Sequence, residues 1–512
     1  MTSTQPRIET AEITVHNPAD GRAVGSVPID SAETVAATAI ALRQAQPEWE
    51  AIGPRGRKRW LIEFQGWVLD NADRITDVVM SESGKSRTDA GLEALAVADV
   101  ITYWSANAEA FLADRHPKPH NLLFKTKRLT TVYRPHQLVG IVTPWNFPFT
   151  MPAYDCIPAL AAGAAVLIKP SEVTPLSAME IARGWEEIGA PPVVGVVTGY
   201  GATGAAVIDY ADFLQFTGST RTGRKVAVAC AERLIPFSLE LGGKDPAIVL
   251  ADADLDRAAN GIAWGGMFTS GQVCVSVERV YVEAPVYDEF LAKLTAKVAA
   301  VKQGNDADTG AMATAAQRDI VSRHVDDAVA AGARALTGGK PTGVGTYFQP
   351  TVLADVEQQM SCMTEETFGP TLPVVKVADE NEAVRLANDS QYGLSATVWT
   401  GDPARGERIA RRLEVGAVNV NDALTNLFCP SIPMGGWKES GMGYRSGGAS
   451  GLIKFCRQQA ITAPRLPTQK SELLWYPSTK RRARVAQAAL RGLAAHDWRR
   501  RLGLKPRRSS GR

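Results

Sequence analysis

Short runs of apolar and β-branched residues alternate along the chain with longer stretches in which apolar residues recur at a helical period. Three such units are "AAVLIKPS" then "PLSAMEIARGWEEIG", "VVGVVTGYG" then "ATGAAVIDYA", and "FLQFTGS" then "TRTGRKVAVACAERL". A second series begins after Glu240 and contains "PAIVL", "LDRAANGIAWGGMFTSG", "VERVYVE" and "VYDEFLAKLTAKVAAV". Strands followed by helices at this spacing predict an α/β fold with parallel sheets. We therefore expect two α/β layers with a boundary near Gly242.

Two other segments have different patterns. Residues 31–114 have mostly helical periodicity, whereas "RLTTVYRPHQLVGIVTPWN" alternates in a way that predicts a β-hairpin between the units. The longest apolar run, Ile157 to Ile168, has 12 residues and contains Pro158 and Gly163. It is too short to cross a bilayer, and the N-terminus lacks the pattern of a leader, so we expect no membrane span.

The composition is globular, with 45% hydrophobic and 21% charged residues among 512. The net charge of +2 conceals an asymmetry, because residues 477–512 contain 12 Lys or Arg and one acid, or +11, against −9 for the rest. Because the rest of the chain is acidic, this charge pattern excludes a protein that binds nucleic acid along its whole length. Six cysteines without paired spacings favour a reducing compartment, and we expect a cytoplasmic location.

The basic tail predicts an amphipathic helix over residues 480–494. Its apolar side holds Val485, Ala486, Ala489, Leu490 and Leu493, opposite basic side chains. Because the remaining chain is acidic, such a helix suits packing on its own body or on a sister subunit. Contact with an anionic membrane surface is the alternative.

Phosphate and metal motifs are weak. Gly199, Gly201 and Gly204 match G-x-G-x-x-G, while Gly218 and Gly223 in "TGSTRTG" give a second glycine loop that opens a helix, and either could meet a pyrophosphate. The stretch "ESGKS" lacks the first glycine of a P-loop. Histidines are few, and the prolines of "HPKPH" prevent a helical pair of ligands, so no metal is expected.

Three polar residues in small or rigid segments are candidates for catalysis. Cys274 lies in "TSGQVCVS", where small polar neighbours favour access to a thiol that in other settings would be core filling. Glu240 precedes two glycines in "LELGGKDP", at a strand end where a carboxylate can take a proton from water. Asn146 lies in the rigid turn "VTPWNFPF", which suits an amide that binds an oxyanion.

The chain resembles the aldehyde dehydrogenase superfamily. The matching stretches, in the family's order and within residues 15–463, are "PWNFP", "IKPSEVTP", "FTGSTRTG", "LELGGKDP", "GQVC", "EETFGP" and "PMGGWKESGMG". Cys274 lies 34 residues after Glu240, as in the family. The resemblance implies that Cys274 attacks an aldehyde, that Asn146 binds the oxyanion and that Glu240 activates water. Glu240 also favours a free acid as product over transfer to coenzyme A.

The resemblance implies NAD or NADP as cofactor. It implies that the helix opened by the second glycine loop binds the pyrophosphate and that Gly201 lies near the adenine. A carboxylate at Glu172 would repel a 2′-phosphate, so we expect a preference for NAD, although Lys169 could pair with that phosphate. The residues expected to bind the cofactor are Trp145, Lys169, Ser171, Glu172, Gly201, Gly218, Ser219, Gly223, Leu241, Gly242, Glu366 and Phe368.

The substrate pocket is expected to be aromatic, with Phe147, Tyr154, Phe268 and Phe428 as walls. Within the superfamily the chain is most similar to the succinate-semialdehyde dehydrogenase group. In that group an arginine six residues before the nucleophile binds the substrate carboxylate, but this chain has Phe268, and a second arginine near Ala110 is also missing. We therefore predict a medium-chain or aromatic aldehyde, with succinate semialdehyde as the alternative. A non-catalytic protein acting through its tail is the remote alternative.

The resemblance also implies the domain organisation. We expect an NAD(P)-binding domain at residues 1–125 and 143–242 and a catalytic domain at 243–440. An oligomerisation hairpin and strand are expected at 126–142 and 455–464, with a basic extension at 465–512. The strand "FCRQQAITA" would add to a neighbouring subunit, giving a homodimer or homotetramer.

Overall fold

The computed structural model describes residues 11–468, 470–472, 475–477 and 479–504. The chain forms two compact parts, which we call the body (residues up to 111 and 135–456) and the arm (112–134 and residues from 457 onward). The body begins with a strand pair and a helical segment, as the periodicity predicts. These elements are β1 (Glu12–His16), β2 (Ala23–Pro28), α1 (Ala32–Ala51), α2 (Gly53–Asp70), α3 (Ala72–Ser83) and α4 (Arg87–Phe111).

The next segment contains the strands of the first large sheet and, before them, the strand Lys127–Pro135, which lies outside that sheet. Its elements in chain order are β3 (Lys127–Pro135), β4 (Leu138–Val142), α5 (Thr150–Ala162), β5 (Ala165–Lys169), α6 (Leu176–Glu187), β6 (Val194–Val196), α7 (Gly201–Tyr210), β7 (Phe213–Thr217), α8 (Thr220–Glu232) and β8 (Phe237–Glu240). Strands β8, β7, β4, β5 and β6 are neighbours in that order and all run parallel. The long apolar run of the sequence forms the C-terminal part of α5, all of whose residues are buried, and most of β5.

A second large sheet follows directly. Its segment contains β9 (Asp245–Val249), α9 (Leu255–Met267), β10 (Val277–Glu283), α10 (Tyr287–Ala299), α11 (Ala315–Ala330), β11 (Arg334–Thr337), β12 (Thr351–Ala354), α12 (Ser361–Thr364), β13 (Thr371–Val377), α13 (Glu380–Asn388), β14 (Tyr392–Gly393), β15 (Ser395–Trp399), α14 (Pro403–Ala410) and β16 (Ala417–Val420). The order is β11-β12-β13-β10-β9-β15-β16, and only the edge strand β11 runs antiparallel to its neighbour in this sheet. The two sheets and their helices confirm the predicted α/β fold.

The chain then returns to the first sheet through short elements. These are α15 (Thr425–Phe428), β17 (Pro433–Met434), β18 (Trp437–Lys438), β19 (Gly441–Met442), β20 (Arg445–Ser446) and α16 (Ala449–Ile453). Strand β19 pairs antiparallel with β8, so Gly441 lies opposite Glu240. This return places Gly441 and Met442, about 200 positions further along the chain, next to the end of β8.

The arm contains β21 (Cys456–Pro464), α17 (Lys480–Ala494) and α18 (Trp498–Arg501), and β21 pairs with β3. The predicted hairpin over 126–142 is therefore corrected. Its second half, β4, lies in the middle of the first sheet between β5 and β7. The physical reason is that "LVGIV" is apolar on both faces, as a central parallel strand requires. Of the basic extension, residues 505–512 lie outside the described residues.

Candidate active site

The predicted site residues follow the carboxyl ends of neighbouring parallel strands. Asn146 follows β4, Lys169 ends β5, Gly218 follows β7 and Glu240 ends β8. In an open parallel sheet the carboxyl ends of adjacent strands share one edge, where ligands bind. The fold thus explains how segments that are far apart in sequence meet at one edge of the sheet.

Cys274 lies just after a tightly constrained turn, the 3₁₀ segment Phe268–Gly271. Thr269 and Ser270 both have positive φ, at 48° and 56°. The amide of Thr269 donates to Asp89 (3.1 Å), and Ser270 Oγ donates to the carbonyl of Gly310 (2.7 Å). Conformations of this kind persist only where their surroundings enforce them, and they often occur at functional sites. The Cys274 side chain itself is half-buried, as an accessible nucleophile requires.

Asn146 is tied to the nucleophile segment. Its Nδ2 donates to the carbonyl of Gln272 (2.9 Å), two residues before Cys274. The Asn146 amide nitrogen carries a second N–H. Asn146 and Cys274 line the same cleft. The side chain is therefore held in one orientation and retains a donor for an oxyanion.

Glu240 is buried, and neither of its carboxylate oxygens accepts a hydrogen bond from a described side chain. Burial raises its pKa from 4.5 to about 7, while the positive charges of Arg445 and Lys454 oppose this rise. A carboxylate with a pKa near neutrality and free lone pairs is suited to act as a general base.

A buried ion pair lies within electrostatic reach of Glu240 and Cys274. Arg445 binds Asp155 through two hydrogen bonds, Nε to Oδ1 (2.9 Å) and Nη2 to Oδ2 (2.7 Å), and also donates to Thr217 Oγ1 (2.7 Å). Its Nη1 atom has no described partner. Burial raises the pKa of the Cys274 thiol to about 12, and the charge of Arg445 acts in the opposite direction. Arg445 thus favours the thiolate, although the thiol is the resting form.

The cleft that contains Cys274 and Asn146 has a volume of about 260 Å³. Seven of the residues predicted to bind the cofactor line it. They are Trp145, Gly218, Ser219, Leu241, Gly242, Glu366 and Phe368. The sequence did not single out five other lining residues, Pro144, Met151, Thr217, Gln317 and Ile320.

The N-terminus of α8 opens onto this cleft. Ser219 is its N-cap, and Gly218 precedes it after β7. A Cβ on Gly223 would lie 2.5 Å from Leu241 Cδ2, so this glycine allows close packing of the helix rather than contact with a ligand. An uncrowded helix N-terminus beside an apolar cleft fits the pyrophosphate of a dinucleotide. By contrast, Gly201 starts α7 and is exposed, outside the cleft lining.

The segment after β5 holds the predicted ribose contacts. Lys169 Nζ lies 3.4 Å from Glu172 Oε2, and burial lowers the pKa of Lys169. Ser171 is buried and accepts a hydrogen bond from the amide of Val173 (3.2 Å). The Glu172 side chain is 41% exposed. None of the three lines the cleft of Cys274, since they follow the next strand of the sheet.

The buried Glu278 carboxylate binds the loop that contains Glu366 and Phe368. Glu278 accepts hydrogen bonds from the Phe368 amide (2.7 Å) and from the buried Lys244 ammonium (2.7 Å). Glu366 accepts from the amide of Gly243 (3.0 Å), and burial together with the Glu278 charge raises its pKa to about 8. The Phe368 and Trp145 rings meet edge to face, 5.4 Å apart. This loop gives the cleft one aromatic wall and one carboxyl group.

A second, small cavity brings the four predicted pocket residues together. Phe147, Tyr154, Phe268 and Phe428 line it, and Phe147 and Phe268 have ring centroids 6.0 Å apart. Met151 lines both this cavity and the cleft of Cys274. Its other lining residues are Leu92, Glu93, Ala96, Thr150 and Leu427, so no described Lys or Arg lines it. An apolar wall of this kind disfavours a substrate carboxylate.

Sequence reasoning missed the ion pair of Arg445 and Asp155. One signal was available, because Asp155 is an acid in the otherwise mostly apolar stretch "MPAYDCIPALAA" of α5, where a charge needs a partner. Its partner is 290 residues away and could not be inferred. Among residues 11–504, less the gaps in the description, we find no group of three acidic, His or Cys side chains that could hold a metal. Nor is any helix in the described ranges long and apolar enough to cross a membrane.

Comparison with known proteins agrees with this geometry. The Aldehyde dehydrogenase family model matches residues 6–461. A protein of Mycobacterium ulcerans, provisionally named a succinate-semialdehyde dehydrogenase with NADP(+) in its name, is 38% identical over 87% of each chain. A 4,4'-diapolycopene aldehyde oxidase of Methylomonas sp is 39% identical over 90% of this chain and 87% of that protein.

Solved structures give the same result. The succinate-semialdehyde dehydrogenase of Burkholderia pseudomallei superposes with a TM-score of 0.85 at 34% identity, covering 89% of this chain and 95% of that one. The resemblance found in the sequence motifs is thereby confirmed. The chain belongs to the aldehyde dehydrogenase family, oxidoreductases that act on aldehydes with NAD(P).

Proposed function

We propose that this protein oxidises an apolar aldehyde to the free acid through a covalent intermediate on Cys274. The Cys274 thiol gives up its proton to solvent water, its sulfur attacks the carbonyl carbon, and the resulting oxyanion is bound by Asn146 Nδ2 and the Cys274 amide. The support is that Asn146 is fixed to Gln272 while it lines the same cleft as Cys274.

Glu240 acts in the second half of the reaction. It takes a proton from the water that hydrolyses the acyl group on Cys274, which releases the carboxylic acid. Its free lone pairs and its pKa near 7 support this role. An enzyme that transferred the acyl group to coenzyme A would not need this base, so turnover should not depend on coenzyme A.

The residues at the N-terminus of α8, together with Trp145 and Phe368, would hold the cofactor. When bound, NAD(P)⁺ supplies the hydride acceptor for the oxidation. We propose that NAD is preferred, because Glu172 would face the adenine ribose and repel a 2′-phosphate. NADP(+) in the name of the M. ulcerans relative argues the other way, and Lys169 beside Glu172 could pair with that phosphate. The preference therefore depends on Glu172.

The substrate proposal is a medium-chain or aromatic aldehyde. The cavity lined by Phe147, Phe268 and Phe428 has no cation among its described lining residues, so a carboxylate there would be desolvated without a partner. The Methylomonas relative, named a 4,4'-diapolycopene aldehyde oxidase, has a name that gives an aldehyde other than succinate semialdehyde. The names of other relatives favour succinate semialdehyde, which remains the second candidate.

We also propose a homodimer or homotetramer. Strand β21 is mostly exposed and pairs with β3 in a sheet of only two strands, so it offers an edge to another subunit. The cytoplasmic location stays a prediction from the free cysteines.

A panel of kcat/KM values over hexanal, benzaldehyde and succinate semialdehyde, with NAD and with NADP, tests the proposal. We expect hexanal or benzaldehyde to be preferred, with turnover that needs no coenzyme A. Preference for succinate semialdehyde would show that Phe268 does not disfavour a substrate carboxylate, contrary to our interpretation. No turnover of any aldehyde would favour a non-catalytic protein acting through its tail.

A further inference from the structure

Positive charge is concentrated in the arm. Its residues, 112–134 and 457–512, include 21 Lys and Arg but only three acids, against 35 and 51 in the rest of the chain. Four of the basic residues, from 505 onward, lie outside the described residues. A segment of this charge on an otherwise acidic protein attracts a polyanionic surface.

The acids of the described tail are already engaged. Glu472 pairs with Lys127 (2.8 Å), and Asp497 caps α18 and lies 3.3 Å from Arg500. On α17, by contrast, Arg481 and Arg484 are exposed and make no ion pair with another described residue. These cations remain available to an external anion.

The arm also leaves large apolar side chains in water. On α17, Ala486 is buried in a cavity that Phe124 and Trp475 also line, so the centre of the apolar face packs within the arm. Beyond it, Trp498 is 63% exposed and Leu502 is 71% exposed. Both lie within a few residues of Arg499, Arg500 and Arg501. Tryptophan and leucine beside arginines on short helices are typical of segments that lie at a lipid–water interface.

We propose that the arm binds the surface of an anionic lipid bilayer, through the basic side chains of α17 and with Trp498 and Leu502 inserted at the interface. A second copy of α17 and of residues 498–502 is a poor occupant of this surface, because a two-fold contact between these segments would place arginines against arginines. Nucleic acid would satisfy the charge but not the exposed Leu502. This inference goes beyond the proposed function and does not rest on it.

The test is flotation of the full-length protein with vesicles of phosphatidylcholine alone or with phosphatidylglycerol added. We expect binding to the anionic vesicles only, weakened by salt. The variants Arg481→Glu/Arg484→Glu and Trp498→Ser/Leu502→Ser should each lower the bound fraction at least tenfold. Control variants in the body, Arg408→Glu/Arg411→Glu and Val228→Ser/Leu234→Ser, change two exposed arginines and two exposed aliphatic residues and should bind like the wild type.

Circular dichroism and elution volume confirm that each variant is folded and has the same oligomer mass. Equal binding to neutral vesicles, or binding to neither kind, would overturn the proposal. So would a change of oligomer mass in either of these variants, which would make α17 or the Trp498–Leu502 segment, rather than β21 alone, a subunit contact. Displacement from vesicles by duplex DNA at lower concentration than by soluble phosphatidylglycerol would instead identify nucleic acid as the partner and refute the lipid surface.

Discussion

Arg445 and Asp155 form a bidentate, fully buried ion pair, with Nε–Oδ1 and Nη2–Oδ2 distances of 2.9 and 2.7 Å. Strand β20 supplies the arginine and α5 the aspartate, so the pair joins the returning C-terminal segment to the first sheet. Its two charges act on Glu240 in opposite directions, since Arg445 lowers and Asp155 raises the pKa of that carboxyl group. The two charges of the ion pair thus adjust, in opposite directions, a pKa that burial raises.

The two partners should consequently have opposite effects on the pH dependence of kcat. Arg445→Gln removes a cation and should move the acidic limb of the profile to higher pH, whereas Asp155→Asn should move it to lower pH. Each variant leaves one buried charge unpaired and should lose about 3–5 kcal/mol of unfolding free energy. The double variant leaves neither charge unpaired and should restore much of that unfolding free energy. It therefore separates the loss of stability from the change in catalysis. Shifts of the same sign in both single variants would contradict this role.

Glu240 itself should determine the acidic limb. Because its pKa is raised to about 7, the carboxylate that activates water is formed only as pH rises through that value. We expect kcat for hexanal to increase between about pH 6 and 8 and then level off. Glu240→Gln should lower kcat by about 10²- to 10⁴-fold and abolish the limb. A limb that survives in this variant would assign the base to another residue.

Phe268 should control selectivity against acidic substrates. Phe268→Arg places a cation in the cavity beside Phe147, whose described lining residues include no Lys or Arg. We expect kcat/KM for succinate semialdehyde to rise about tenfold or more, since a hydrogen-bonded charge contributes ~1.5–3 kcal/mol, while kcat/KM for hexanal falls. Phe268→Leu is the control without charge and should leave succinate semialdehyde a poor substrate. Equal gains in both variants would indicate a steric effect.

Glu172 should determine the nucleotide preference. Glu172→Ser removes the carboxylate and leaves Lys169 free to pair with a 2′-phosphate. The ratio of kcat/KM for NADP to that for NAD should rise about tenfold, equivalent to ~1.4 kcal/mol. Glu186→Ser, a change at an exposed acid on α6, is the control. An unchanged ratio in Glu172→Ser would show that the ribose contact lies elsewhere.

Local pattern was sufficient for most of the fold but not for the electrostatics of the site. The period of "TRTGRKVAVACAERL" predicted α8, and residues 480–494 form the predicted helix, because both are amphipathic. The segment with Leu138 to Val142 was assigned to a hairpin, since its position in the sheet depends on strands far away in sequence. Motif spacing identified Cys274, Glu240 and Asn146 as candidates. Arg445 could not be found this way, because its role arises only when β19 pairs with β8.

The most direct measurement is mass spectrometry of the Glu240→Gln variant after reaction with hexanal and NAD⁺. With hydrolysis slowed, a hexanoyl group should accumulate on the peptide that contains Cys274. Cys429→Ser, which changes another half-buried thiol, should not prevent this labelling, whereas Cys274→Ser should abolish both labelling and turnover. Full turnover by Cys274→Ser, or an acyl group on any other residue, would contradict the account.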